Sequence, residues 1–262
     1  MTREDDIALA HALADAAGAA IRPYFRARYE LEIKADASPV TQADREAEAA
    51  IRTLIARERP NDGIIGEEYG AERAEAERVW VLDPIDGTRA FIAGRPIFGT
   101  LIALMEGGRP VLGVIDQPIA SERWIGAAGQ PTLFNGQPAR ARACPSLSRA
   151  LFATTAPWFC DGFEALRAAA GDTVLGGDCY NYALLASGHV DLVVEDGLKL
   201  HDWAALLPVI EGAGGRMTDW TGAPLAQGSD GRVVAVGDEA LLAPVLEILG
   251  RNVSSQRSGG AP

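Results

Sequence analysis

The segment Val79-Trp80-Val81-Leu82-Asp83-Pro84-Ile85-Asp86-Gly87-Thr88 sets two carboxylates three residues apart where an apolar run ends. Pro84 disfavours helix for the residue before it and holds Asp83 extended. Gly87 lets the backbone turn close to a ligand, and the N–H groups at and after Gly87 and Thr88 then open a helix, an end that favours anions. A carboxylate pair facing a phosphate cradle suits Mg²⁺, a hard cation that takes oxygen ligands and shares its shell with waters and phosphate oxygens. Alone, the D-P-x-D-G-T pattern also reads as an Asx-type turn with a helix cap. Two further acidic segments weigh against that. Gly66-Glu67-Glu68-Tyr69-Gly70 follows an apolar run, and Leu200-His201-Asp202-Trp203 opens an amphipathic helix closed by Gly212-Ala213-Gly214-Gly215. Each of these, taken singly, also reads as a solvated acid or an N-cap.

The elements that must position these acids are legible from periodicity. Ala10, Ala14, Ala17, Ile21 and Phe25 lay one apolar stripe along a first helix. Thr41 with Asp44 three residues on resembles a capping box, Ala47, Ile51, Leu54 and Ile55 form the apolar face that follows, and Pro60 stops it. Gly63–Gly66 and Val79–Leu82 read as buried strands. From Phe98 to about Pro138, apolar runs punctuated by Gly107-Gly108-Arg109-Pro110, Gln117-Pro118 and Asn135-Gly136 predict an antiparallel meander. After Pro145, strands at 151–155, 173–175 and 190–194 alternate with helices at 159–170, 180–187 and 202–213, an α/β pattern. The chain thus divides into an N-terminal α+β half (1–145) with the meander and most of the acids, a C-terminal α/β half (146–252), and a tail (253–262) expected to be disordered.

Composition bounds the rest. The 262 residues fit one large domain or two modest ones, and 48% hydrophobic with 23% charged residues excludes a disordered or collagen-like chain. Lys plus Arg number 24 against 36 Asp plus Glu, a formal charge of −12 that repels nucleic-acid backbones and anionic lipid heads. Neither is expected as a partner, and a phosphorylated ligand needs local help. No stretch approaches the roughly 18 apolar residues of a membrane span, and Thr2-Arg3-Glu4-Asp5-Asp6 lacks the basic-then-apolar order of a signal peptide, so a cytoplasmic protein is expected. Cys144, Cys160 and Cys179 fit neither a disulfide framework nor a zinc knot.

The three acidic segments in this order, with Pro39-Val40-Thr41-Gln42-Ala43-Asp44 upstream, resemble the inositol monophosphatase-like family of Mg²⁺-dependent, lithium-sensitive phosphatases. The resemblance spans about Lys34 to Gly215. It implies a layered α/β/α/β/α sandwich of the α+β class, usually assembled as a homodimer. It implies that Glu67, Asp83 and the backbone carbonyl of Ile85 hold a first Mg²⁺, and that Asp83, Asp86 and Asp202 hold a second. It further gives Thr88 and Asp44, alongside Glu67, the task of orienting or deprotonating the attacking water. The implied reaction is in-line attack of a metal-activated water on a small phosphomonoester, without a phosphoenzyme. From spacing alone, Asp44 reads equally as the acid of a capping box.

Finer details resemble the histidinol-phosphatase branch: Tyr69-Gly70 after the acidic pair, Arg89-Ala90-Phe91-Ile92-Ala93-Gly94-Arg95-Pro96, Gly176-Gly177-Asp178-Cys179-Tyr180, and the order Asp202-Trp203. Histidinol phosphate carries an ammonium and an imidazole beside its phosphate, so its pocket should offer acceptors. Asp178 and Glu195 are the available acids, adding to Asp86, Gly87 and Thr88 as substrate-binding candidates. Glu195 reads equally as a plain strand-end carboxylate. Lys34 reads as an exposed lysine or as help for a third metal or the phosphate, His11 and His189 as surface or interface residues, and nothing in the sequence requires His201 to be a ligand. The competing readings are an inositol 1-phosphate or adenosine 3′,5′-bisphosphate phosphatase, and, in another class, a non-catalytic metal-binding regulatory protein. Glu67, Asp83, Asp86, Thr88, Asp44 and Asp202 standing together argue against the last.

Overall fold

Apolar residues three and four apart build the first helix, α1 (Arg3–Ile21), which Thr2 and Asp5 start with a capping box and whose Ala10, Ala14, Ala17 and Ile21 are buried. In the computed structural model, residues 2–27, 31–33 and 39–258 are described; Lys34 lies outside them. Two short strands, β1 (Leu31–Ile33) and β2 (Pro39–Thr41), pair antiparallel and lead into α2 (Gln42–Glu58). The next strands are β3 (Gly63–Gly66), β4 (Gly70–Glu72) and β5 (Arg78–Asp86), followed by the short helix α3 (Thr88–Ile92). The predicted meander is β6 (Gly99–Glu106), β7 (Arg109–Gln117), β8 (Glu122–Ala127), β9 (Leu133–Phe134) and β10 (Gln137–Pro138). Together β3 to β10 form an eight-stranded sheet in the order β10-β9-β8-β7-β6-β5-β3-β4, in which β3 and β5 run parallel and the other neighbours antiparallel.

Across 139–150 the chain passes to a second sheet. Its elements are β11 (Leu151–Thr154), α4 (Phe163–Ala169), β12 (Asp172–Leu175), α5 (Asp178–Ala186), β13 (Leu192–Glu195), α6 (Leu200–Trp203), α7 (Leu206–Gly212), β14 (Arg216–Thr218), β15 (Val233–Val236) and α8 (Leu242–Ser258). The order is β12-β11-β13-β15-β14, parallel through the first three strands and antiparallel thereafter.

The period of two along each strand sorts side chains into three buried layers. Trp80 and Leu82 of β5 join α1 and α2 on the outer side of the large sheet. Val79 and Val81 face the other way, into a middle layer built with α5, α6 and α7 and with Val193, Val233 and Ala235 of the small sheet. Phe152, Leu192, Val194 and Val234 face outward again, under Leu166 of α4 and Val245 and Leu249 of α8. The result is α/β/α/β/α, the layered sandwich that the resemblance implies. The middle helices approach the large sheet closely: a Cβ at Gly113 of β7 would stand 2.0 Å from the Ala205 carbonyl oxygen, and one at Gly126 of β8 2.3 Å from that of Pro208. Glycine therefore fixes how near α6 and α7, and with them Asp202, come to the strands that carry the other acids.

Three expectations are corrected. The helix expected over 202–213 is two helices, broken at Ala204 and Ala205, because Pro208 has no N–H to donate to the Ala204 carbonyl. The helix expected over 159–170 starts at Phe163, after a 3₁₀ turn at Pro157–Phe159 and a left-handed Gly162 with φ 93°. Residues 253–258 of the expected disordered tail continue α8, each helical residue added to a formed helix gaining a backbone hydrogen bond, while 259–262 lie outside the described residues. Among the described residues no helix is long and apolar enough to cross a membrane.

Candidate active site

The acids meet where β3 and β5 end side by side. Pairing of β5 with β6 slips between Asp83 and Asp86, and the Thr100 hydroxyl, fully buried, donates to the Pro84 carbonyl at 2.7 Å inside that irregularity. A regular strand would send two residues three apart to opposite faces. The slip instead lets Asp83 and Asp86 converge, and with Asp202 of α6 they offer carboxylate oxygens within 4.8 Å of one another. A second trio, Glu67, Asp83 and His201, does the same with a ring nitrogen in place of one oxygen. Asp83 belongs to both.

Glu67 stands in the turn after β3, its N–H donating to the Leu82 carbonyl at 3.2 Å. That turn is clamped from α2 by Glu48, fully buried, which accepts from the N–H of Glu68 at 2.7 Å and of Tyr69 at 3.1 Å and from Arg52 Nε at 2.7 Å. A Cβ at Gly66 would lie 2.0 Å from Glu48 Oε1, so only glycine admits the clamp. Asp44, one turn before Glu48, is buried too, and its charge reaches Asp83. The Thr88 hydroxyl donates to the Ile85 carbonyl at 3.1 Å, which ties these two predicted site residues together.

Electrostatics mark the cluster as incomplete by itself. Burial, then the charges of Glu67, Asp86, Asp202 and Asp44, push the Asp83 carboxyl well above the usual carboxylate range. Burial with Asp178 and Asp202 does the same to Asp86, against the Cys179 N–H that donates to its Oδ2 at 2.6 Å. Burial also raises Asp202, opposed by His201 and by the Lys199 N–H at 2.6 Å. Asp83 Oδ1 is buried with no hydrogen-bond partner among the described residues. Converging carboxylates, one with an orphaned oxygen, form an oxygen-rich donor set that fits a hard divalent cation.

Beside the acids opens a cleft of about 510 Å³. Glu67, Asp86, Thr88 and Asp202 line it together with Arg89, Arg95, Thr155, Trp158 and Asp178. Asp178 takes the left-handed φ of 44° that opens α5, its N–H donating to the Thr155 hydroxyl at 3.0 Å. A Cβ at Gly87, itself at φ 86°, would sit 2.9 Å from Asp178 Oδ2, so bare backbone at Gly87 makes room for this acid. Burial pushes Asp178 up to about 6 although Arg89 and Arg95 pull the other way. Glu195, at the end of β13, is buried and does not line the cleft; its Oε1 accepts the Thr155 N–H at 2.8 Å, and burial pushes it up to about 7. Thr155 thus links the two acids.

The sequence model of the inositol monophosphatase family matches residues 2–252. The chain belongs to that family. It is a phosphatase of the inositol monophosphatase family by descent, and it is 50% identical over 256 residues to the bifunctional phosphatase IMPL2, chloroplastic, of Arabidopsis thaliana, covering 92% of this chain and 74% of that one. It is 37% identical over 230 residues to the histidinol-phosphatase of Mycobacterium tuberculosis, covering 83% and 88%. Its fold superposes on an inositol monophosphatase from Zymomonas mobilis with a TM-score of 0.88 and 56% identity, over 95% of this chain and 99% of that one.

Sequence reasoning overlooked Glu48, Thr155 and the two arginines of the cleft. Glu48 had a signal: it lies four residues after Asp44 on the otherwise apolar face of α2. Thr155 had none, since its role arises only where β11, α5 and β13 meet. His11 and His189 fall elsewhere, His11 beside Arg123 at 3.1 Å in a cleft with Asp15 and Asp116, His189 in one lined by Trp124 and Tyr180. The three cysteines are buried and unbridged.

Proposed function

We propose that this chain is a Mg²⁺-dependent phosphomonoesterase whose preferred substrate is histidinol phosphate, placing it in histidine biosynthesis. The observation that carries the reading is the pair of donor trios sharing Asp83 beside a cleft that Asp178 lines. Glu67, Asp83 and the Ile85 carbonyl would hold one cation, and Asp83, Asp86 and Asp202 the other. When bound, such ions polarise the phosphoryl group, lower the pKa of a bound water and neutralise charge that develops on the attacking and leaving oxygens.

The chain's own groups do the rest. Thr88 and Asp44, with Glu67, orient the attacking water, and the Thr88 hydroxyl is held against the Ile85 carbonyl at the same place. Asp86, Gly87 and Thr88 receive the phosphate end. Asp178, and Glu195 behind Thr155, attract the ammonium of the organic end; a charge-assisted pair there is worth about 1.5–3 kcal/mol, roughly ten- to a hundredfold in selectivity. The kinship with histidinol-phosphatases supports this choice.

One observation favours a second reading. Arg89 and Arg95 line the cleft and suit a substrate with more negative charge, such as adenosine 3′,5′-bisphosphate, or inositol 1-phosphate seated with its ring toward them. We propose further that the protein is a cytoplasmic homodimer: Val174 and Leu175 are exposed on the edge strand β12, apolar surface that a second copy would cover. Phosphate release from these three substrates is to be measured after chelation and after Mg²⁺ is restored. Release from histidinol phosphate only with Mg²⁺ is expected. Release that survives exhaustive chelation refutes the metal mechanism, and none from any substrate favours the non-catalytic alternative.

A further inference from the structure

The imidazole of His201 belongs to one donor trio and lies beside a member of the other. One ring nitrogen lies within 4.8 Å of carboxylate oxygens of both Glu67 and Asp83, while Nε2 lies 3.5 Å from Oδ1 of Asp202, a member of the other trio. The side chain is 12% exposed, held in the first turn of α6. Ligand atoms about 2.1 Å from one ion are roughly 3 Å apart when adjacent and roughly 4.2 Å apart when opposite, so a trio already within 4.8 Å closes on an ion with small side-chain rotations. Asp83 of that trio carries a buried Oδ1 that has no hydrogen-bond partner among the described residues.

We infer that His201 supplies a nitrogen donor to the cation held by Glu67 and Asp83. The consequence is chemical selectivity. A site of carboxylate, carbonyl and water oxygens favours Mg²⁺, whereas an imidazole adds affinity for borderline ions such as Zn²⁺. This cation position, unlike the one between Asp83, Asp86 and Asp202, is therefore mixed in character. The inference rests on the metal-dependent reading above and adds one ligand to it.

The test loads the full-length protein with Mn²⁺, counts bound ions by electron paramagnetic resonance, and records the electron spin-echo envelope modulation. A directly bound imidazole gives a ¹⁴N modulation, and growth on ¹⁵N-histidine must change it without altering the protein. The other two histidines, His11 and His189, lie in other clefts. His201→Asn should abolish the modulation and weaken Zn²⁺ binding by more than it weakens Mg²⁺ binding. Bound Mn²⁺ with no ¹⁴N modulation in the wild-type protein, or modulation that persists in His201→Asn, overturns the inference and leaves the metal-dependent reading intact. Failure of Mn²⁺ to bind the wild-type protein at all overturns both.

Discussion

Replacing Glu195 by glutamine should make the metal-free protein more stable at pH 8 and less selective for its substrate. Gln keeps the shape and an oxygen to accept the Thr155 N–H, now held at 2.8 Å, and removes only the ionisation. Burial, opposed by the Thr155 N–H and reinforced by Asp178 and Asp202, moves the Glu195 carboxyl from 4.5 to about 7. A folded-state pKa raised in this way leaves stability intact below the unfolded value of 4.5 and erodes it as pH rises through about 7, because the unfolded chain ionises first. Each pH unit in that window is worth about 1.4 kcal/mol, so between pH 5 and 8 the wild type should lose on the order of 2–3 kcal/mol relative to Glu195→Gln. Urea denaturation of both proteins in chelator at the two pH values measures this difference. Acting from behind Thr155, the same variant should lose at most roughly tenfold in kcat/KM for histidinol phosphate, with inositol 1-phosphate barely affected. A stability difference that does not grow with pH would refute the burial argument, and equal losses on both substrates would remove Glu195 from substrate selection.

Asp83→Asn should lower turnover by about a hundredfold or more while far-UV circular dichroism stays unchanged, since it removes the acid shared by both donor trios; wild-type turnover would exclude Asp83 from the site. Thr88→Ala and Asp44→Asn should each reduce turnover more than they weaken metal binding, and the double variant should lose much less than the product of the two. Strictly multiplicative losses would assign the two residues separate structural tasks. Thr155→Val removes the acceptor of the Asp178 N–H, at 3.0 Å, and frees an acid held at an unfavourable left-handed φ. It should raise KM for histidinol phosphate about tenfold, Thr155→Ser should restore it, and a rise shared by inositol 1-phosphate would point to general damage instead.

What could be read from the sequence follows a physical divide. Strand alternation and helical stripes are local, so β5, the meander from β6 and the buried faces of α1 and α2 were visible in residue spacing, and the D-P-I-D-G-T and G-E-E segments announced the acids by type and order. Convergence was not visible. The register slip between Asp83 and Asp86, the Glu48 clamp on the turn holding Glu67, and the seating of Ala205, between α6 and α7, on Gly113 each depend on partners distant in the chain. The break between α6 and α7 was in principle legible from Pro208, yet the apolar period runs across it unbroken. Tail composition misled about 253–258, because polarity says little about whether a formed helix propagates.

The central claim, that the acid-lined cleft serves a phosphomonoester with a cationic organic part, is tested most directly by kcat/KM for histidinol phosphate against inositol 1-phosphate at saturating Mg²⁺. The proposed role of Asp178, which lines the cleft, predicts a ratio of at least roughly ten in favour of histidinol phosphate. A ratio at or below one would contradict the claim, whichever way the metal dependence falls.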